Sequence, residues 1–537
     1  MYFAPLRKDG YKVYHPFAYR PGTTHVYSNM TPRFGKHSNV KDSKFVLFAG
    51  LQAWLIETKA AWDVFFSLPK EYATKEYSRV VSAMLGKKVP TDHFEALHDL
   101  GYLPIRVKAL PEGTLVPYGV PFYTIVNTVE GFGWVTNMLE TDASSETWLT
   151  ITSATTAFAY RARFEQEQSL RDTGMIKFLG HDFSYRGMPG RHAAAMSGFG
   201  HLCSFYGSDT IPAALFAEQY YGAKIDQELV FASVDATEHS VMCSYGNEGE
   251  LESLEHLMTK VTPTGILSVV SDTWDFWKLV TKYLPKLKDV IMSREGTLVI
   301  RPDSGDPVHI LTGYTWDGVN YTNFEQVFEK YDEVSASNMP EVAKVEGKFY
   351  RLFKETNGLT NCTYHPLEEH EVKGLIECLW DTFGGTIENG LKRLDSHVGA
   401  IYGDSITLER QDKIISRLLA KRFVPAVVLG IGSFTYQYVT RDTHGTAVKA
   451  TDIQLGTGNH YPISKDPKTD SSKKSARGLL MVVEDTETGL LKLVADVTPE
   501  QEASEGNLLK TIYEDGNFVR LTTLNEIREK VDSYFKG

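Results

Sequence analysis

A chain of 537 residues with a formal charge of -12, 42% hydrophobic and 23% charged, has the composition of a soluble globular protein too long for one ordinary domain. The acidic balance disfavours nucleic acid as a partner. No apolar run approaches the length that spans a bilayer, and the segment Met1 to Lys12 is unlike a secretory leader, so no membrane partner and a cytoplasmic location are expected. The four cysteines, Cys203, Cys243, Cys362 and Cys378, lack CxxC spacing and predict neither a zinc site nor a disulfide framework.

In chain order, Ser43 to Ser67 predicts a helix, and Ile105 to Leu110 and Phe122 to Val126 predict strands on either side of the turn Pro111-Glu112-Gly113. From there on, apolar runs end repeatedly in polar or glycine-rich turns. They are Met175 to Leu179, Leu202 to Tyr206, Leu229 to Ala232, Ile266 to Val270, Thr297 to Ile300, Val398 to Tyr402 and Val424 to Leu429, with Thr446 to Leu455 as an eighth. Helix-like segments such as Ile211 to Tyr221 and Leu251 to Lys260 lie between them, a rhythm of about thirty residues that suits βαβ units. Eight parallel strands with outer helices would make an α/β barrel, whose post-strand loops share one mouth. An open doubly wound sheet is the alternative.

Residues 312 to 395 interrupt the rhythm and read as an insertion. Its His365 and His370 are five apart, without HExxH spacing, and read as a solvated face. Leu479 to Val483 and Leu490 to Ala495 predict a hairpin, and Thr523-Leu524-Asn525-Glu526 a capping box. The expected organisation is a discontinuous α+β domain, 1–165 plus 478–537, and a barrel over 166–477.

The chemistry concentrates at the predicted strand ends. Arg301-Pro302-Asp303-Ser304-Gly305-Asp306 puts a planar guanidinium, suited to phosphate oxygens, two residues from a carboxylate suited to sugar hydroxyls. Arg186 and Arg441 are further cations, with Lys449 and Lys465 as possible additions. Gly403-Asp404-Ser405 and Gly430-Ile431-Gly432-Ser433 can present backbone N–H groups to phosphate, although neither is a Walker loop. Asp209, Asp272, Asp303 and Asp404 form the acidic set, and each could equally cap a helix. Glu238-His239 joins an acid to an imidazole. Phe183 suits either core packing or stacking on a flat ring.

These motifs, with Asp9-Gly10-Tyr11-Lys12, Gly50-Leu51-Gln52, Leu103-Pro104-Ile105, His181 to Gly187, Gly207 to Thr210, Thr440-Arg441-Asp442 and Lys465-Asp466-Pro467, resemble the type II phosphoribosyltransferases over most of the chain, in particular those that act on nicotinamide. The resemblance implies an irregular (β/α) barrel of that family's kind and transfer of phosphoribose from 5-phosphoribosyl-1-pyrophosphate to nicotinamide, with nicotinate as the alternative acceptor. Pyrophosphate leaves, Mg²⁺ assists, and a homodimer shares its active sites. It places Arg186, Arg301 and His239 at the pyrophosphate, Asp303 and Asp404 at the ribose, and Ser433 and Arg441 at the 5′-phosphate. Asp272, Gly403, Ser405, Gly432 and Lys449 complete the substrate-binding set. The pyridine is expected between Phe183 and Tyr11, the tyrosine coming from the second subunit, and its carboxamide on Asp209. His239 is expected to be phosphorylated by ATP. The run Lys465, Lys468, Lys473, Lys474 and Arg477 reads as a solvated loop or an ATP contact. This chain departs from the family at Gly430 to Phe434, which holds fewer glycines, at Ser184 in place of glycine, and at Ala447, where a phosphate-binding hydroxyl is expected. A binding protein with a decayed site is the reading from another class. The intact Arg186, Asp209, His239, Arg301 and Asp303 argue against it.

Overall fold

The computed structural model describes every residue except 1–2, 356–359, 457, 467, 470–473 and 537. Pro467 and Lys473 therefore lie outside the described residues. By packing, the chain forms two units, one of residues 1–162, 184–231 and 436–537, the other of 163–183 and 232–435. Residues 184–231 and 436–477, expected within the barrel, thus group with the chain ends.

The first unit is organised by a seven-stranded sheet, ordered 459–462, 447–455, 23–31, 123–127, 105–109, 510–514, 517–518, with antiparallel pairing throughout. Strand Ala447–Leu455, anticipated as the eighth barrel strand, pairs instead with Thr23–Thr31. The predicted helix from Ser43 is also corrected, because Phe45–Leu47 is a strand and the helix is Leu51–Ser67. The break is Gly50, whose φ of +97° is left-handed and whose Cβ would lie 2.9 Å from that of Thr150. The helix then buries Leu51, Trp54, Leu55, Thr58, Ala61, Trp62 and Phe65 at three- and four-residue spacing. Each large apolar side chain so buried contributes about 2 kcal/mol.

Gly50-Leu51-Gln52 and Pro111-Glu112-Gly113 serve the architecture of this unit. Glu112 accepts from the N–H groups of Gly50 (2.7 Å) and Gln52 (2.8 Å), and the Gln52 amide donates to the carbonyls of Tyr220 and Thr522. Arg528, buried in the last helix, donates to the carbonyls of Leu202 (2.7 Å), Leu229 (3.1 Å) and Val230 (2.6 Å), and burial lowers its pKa to about 10. The capping box at Thr523 and Glu526 is formed.

The second unit contains a curled half-barrel of six parallel strands. These are β1 Gly180–Asp182, β2 Asp235–Ala236, β3 Thr264–Val270, β4 Glu295–Arg301, β5 Val398–Tyr402 and β6 Val428–Ile431. Their order in the sheet is β1-β6-β5-β4-β3-β2. The pattern predicts eight strands, and the differences have local causes. Ile176–Leu179 is a helical turn, so β1 begins one residue after the predicted run. Leu202 closes the helix Arg191–Leu202. Leu229 to Ala232 is irregular, and β2 follows it.

The expected insertion is a folded module. Strands Asn320–Tyr321, Val342–Val345, Lys348–Lys354 and Thr360–Cys362 form one sheet around a small core that includes Tyr321, Val327, Tyr331, Val345 and Leu352. Among the described residues, no helix is long and apolar enough to cross a membrane.

Candidate active site

Strands β3 and β4 run in register, Val270 opposite Arg301, so their carboxyl ends bring Ser271-Asp272 beside Arg301-Pro302-Asp303-Ser304. The loops are laced together. Ser271 N–H donates to the Arg301 carbonyl (2.9 Å), and Asp272 Oδ2 accepts from the N–H groups of Asp303 (3.0 Å) and Ser304 (2.6 Å). Burial pushes the Asp272 carboxyl up, but hydrogen bonds from Ser304, Asp303 and His239 outweigh it and hold the group below its ordinary value. Its Oδ1 lies 3.3 Å from Nε2 of His239, whose ring is 48% exposed at the start of the helical turn His239–Cys243 after β2.

Arg301 is anchored by Nη2, which donates to the Thr237 carbonyl (2.6 Å). Its Nε stands 3.8 Å from Asp303 Oδ1. Among the described residues neither of these buried atoms has a hydrogen-bond partner. Burial raises the Asp303 pKa against the pull of Arg301. A charged pair left short of hydrogen bonds at a strand end is costly unless a ligand completes it.

The next two strand ends add the glycine turns. A Cβ on Gly403 would fall 1.8 Å from Asp303 Oδ1, one on Gly432 2.2 Å from Asp404 Oδ1, and one on Gly430 2.5 Å from the Gly403 carbonyl. Glycine is required here for room, since none of the three has positive φ. Ser405 does, at +59°, a conformation that costs about 1 kcal/mol or more for a non-glycine residue. Its carbonyl is held by Arg410 Nη1 at 2.6 Å. Ser405 also borders a cavity of about 590 Å³ lined by Asp306, His309, Arg410 and Phe434 among others. Asp306 itself caps the helix Pro307–Thr312. Phe183 extends the β1–β6 ladder through its N–H to the Ile431 carbonyl (3.1 Å) and stacks on His181 with centroids 4.4 Å apart.

Thus His239, Asp272, Arg301, Asp303, Gly403, Asp404, Gly432 and, next in chain, Ser433 are gathered at adjoining strand ends of one unit. Phe183 and Ser405 belong to the same unit, and Tyr11, Arg186, Asp209, Arg441 and Lys449 to the other. Arg186 is exposed on the turn Tyr185–Gly187. Asp209 is exposed and is not the cap of helix Ile211–Tyr221, whose N-cap is Thr210. Arg441 is exposed and pairs with Asp442 at 3.2 Å. Tyr11 is 65% exposed, and its hydroxyl pKa is raised by burial, Glu140 and Asp9 against Arg441. Lys449 lies on the strand beginning at Ala447, 3.4 Å from Glu140. Sequence reasoning missed Thr237, which acts through its backbone, and Glu140, which carries no local signal.

Among the described residues, three ligand atoms within 4.8 Å of one another occur at Glu57, Glu146 and His192. The strand-end acids form no such cage. They offer instead the one or two carboxylate oxygens that Mg²⁺ takes when substrate phosphates and water fill its other positions.

The family model of the nicotinate phosphoribosyltransferase (NAPRTase) family matches residues 178–517. A nicotinamide phosphoribosyltransferase of Acinetobacter baylyi is 41% identical over 97% of this chain and 96% of its own length. One of Xanthomonas campestris pv. campestris is 28% identical over 98% of both. Among solved structures, the nicotinate-nucleotide pyrophosphorylase of Pyrococcus furiosus superposes with a TM-score of 0.54 at 15% identity, covering 99% of this chain and 95% of that one.

Proposed function

The chain belongs to the nicotinate phosphoribosyltransferase family, and on that premise we propose that it transfers phosphoribose from 5-phosphoribosyl-1-pyrophosphate to nicotinamide. The products are nicotinamide mononucleotide and pyrophosphate, in NAD salvage. The observation that carries the reading is the strand-end group of Arg301, Asp303, Asp272 and His239, with two buried polar atoms that lack hydrogen bonds among the described residues, in a chain 41% identical over 97% of its length to a nicotinamide phosphoribosyltransferase.

The reaction breaks the bond from the anomeric carbon to pyrophosphate and forms one to the pyridine nitrogen, through an oxocarbenium-like carbon. A catalyst must neutralise the departing anion and hold a weak nucleophile in line. Arg301 and His239 are proposed to face the pyrophosphate, the anion for which the family resemblance also proposes Arg186. Asp303 and Asp404 accept from the ribose hydroxyls, Asp303 with the oxygen that has no hydrogen bond in the described protein. Gly432 and Ser433 take the 5′-phosphate, and the family resemblance proposes Arg441 for the same group and Lys449 for another phosphate oxygen. Phe183 offers its face to the pyridine. Mg²⁺, when bound, lessens the charge on the pyrophosphate, and Asp272 and Asp303 are the carboxylates that would hold it.

Asp209 accepts from the carboxamide NH₂ and gives the choice of substrate a physical cause. Nicotinate would set a second carboxylate against it, and two like charges about 4 Å apart cost about 4 kcal/mol at an effective dielectric of about 20. That favours nicotinamide over nicotinate, the second acceptor the family name allows. A homodimer is part of the proposal, Tyr11 stacking on the pyridine bound in the partner subunit, and so is a cytoplasmic location. ATP is the proposed phosphoryl donor to His239. In the tautomer that donates from Nε2 to Asp272, Nδ1 carries the lone pair that attacks the γ-phosphorus as ADP departs.

The test is mass detection of product from phosphoribosyl pyrophosphate with both pyridines supplied together. Nicotinamide mononucleotide is expected to dominate. Predominance of the nicotinate product, or of neither, would overturn the reading.

A further inference from the structure

We propose that Glu140 is a positioning residue whose one carboxylate sets both Tyr11 and Lys449. This rests on the reading above, in which the ring of Tyr11 meets the pyridine and the ammonium of Lys449 meets a phosphate.

Glu140 opens the 26-residue helix Glu140–Glu165. An acid in a first turn is ordinarily accounted for by the helix dipole, and a carboxylate serving only that end faces water. Here both oxygens are engaged by cations: Oε2 lies 2.6 Å from Lys12 Nζ and Oε1 lies 3.4 Å from Lys449 Nζ. Lys12 is 1% exposed, so without Glu140 its ammonium would be buried and unpaired, a costly state. The same ammonium stands 5.4 Å from the centroid of the Tyr11 ring, within the range where a cation steadies an aromatic face.

Thr141 fastens the same turn from its other side. Its hydroxyl donates to Asp9 Oδ2 (2.7 Å) and accepts from the Asp9 N–H (3.3 Å). The turn Gly10–Tyr14 is therefore pinned to the start of the helix on both flanks of Tyr11, by Asp9 before it and Lys12 after it. Tyr11 itself remains exposed and available to a ligand.

Lys449 arrives from a strand far along the chain. Besides Glu140 its ammonium donates to the Val448 carbonyl (2.5 Å). Burial lowers its pKa, Glu140 opposes that shift, and Arg33 and Lys465 add to it. Glu140 is thus the anion that favours the charged form of this lysine against its burial, while its two oxygens tie the lysine to the ammonium beside the aromatic ring.

The test is Glu140→Gln, which keeps the shape and removes the charge, beside Glu140→Asp, which keeps the charge on a shorter stem. In Glu140→Gln, calorimetric binding of phosphoribosyl pyrophosphate is expected to weaken by about tenfold. KM for nicotinamide should rise several-fold, kcat should stay within about threefold, and the alkaline limb of kcat/KM for phosphoribosyl pyrophosphate should move to lower pH. Glu140→Asp should restore the limb without fully restoring either affinity. A purely structural role would lower the melting temperature and leave the limb in place. Glu140→Gln with wild-type affinity and an unmoved limb overturns the proposal, as does Glu140→Asp with both affinities intact. Wild-type protein that fails to bind phosphoribosyl pyrophosphate at all would instead overturn the underlying reading and the proposal with it.

Discussion

Two aspartates in the same unit show how a site differs from a scaffold. Asp317, in the inserted module, accepts from the hydroxyls of Tyr321 and Tyr331, both at 2.5 Å, from Lys330 Nζ at 2.9 Å and from the Val319 N–H at 3.0 Å. Burial raises its pKa, and these bonds more than reverse the effect, leaving the group well below its ordinary value. Asp303 is likewise only partly buried, yet its Oδ1 is enclosed without a hydrogen-bond partner among the described residues and the pKa moves the other way. A saturated carboxylate has finished its work when the chain folds. An unsaturated one beside an arginine keeps capacity that a ligand can fill.

The largest effect that would break this contrast is at the strand ends. Arg301→Ala or Asp303→Asn should lower kcat/KM by about a thousandfold, while the melting temperature of Asp303→Asn holds or rises, because a partly buried charge short of one hydrogen bond is removed. A large fall in stability with modest kinetic loss would reverse the assignment. Asp209→Asn should cut the preference for nicotinamide over nicotinate by about a hundredfold, the exposed position screening part of the charge repulsion. Binding of phosphoribosyl pyrophosphate should not change, and competition kinetics with both pyridines reads the ratio.

Asp317→Ala should cost about 3 kcal/mol in urea denaturation with kcat per folded molecule unchanged. The smallest effect sharpens the contrast from a third side. Glu250 is 1% exposed, neither oxygen has a hydrogen-bond partner among the described residues, and burial raises its pKa to about 7. The folded state then holds a proton that the unfolded chain releases near pH 4.5, so stability falls as pH rises from about 4.5 to about 7. Glu250→Gln should gain about 2 kcal/mol at pH 8 and nothing at pH 4. A loss of stability at pH 8 would mean that the ionised group has a partner.

Strands β3, β4 and β5 were legible because each is an apolar run stopped by a polar turn, and the motif at Arg301 could be placed at a strand end for the same reason. The runs at Met175 and Leu202 have the same composition and lie in or at the ends of helices, since four or five apolar residues fit either period. Strand 447–455 was visible as a strand, but its partner 23–31 lies more than 400 residues away, and pairing at that distance leaves no local mark. Glu140 is hidden in the same way, 128 residues from Lys12 and 309 from Lys449.

At Gly403 and Gly432 a hydrogen stands where any other residue would put carbon against the neighbouring strand's carboxylate. The spacing of Asp303 and Asp404 is thereby governed by main-chain clearance and not by charge. A single methyl group introduced at either glycine would displace an acid without altering the electrostatics of the protein, so sugar recognition could be retuned by volume alone.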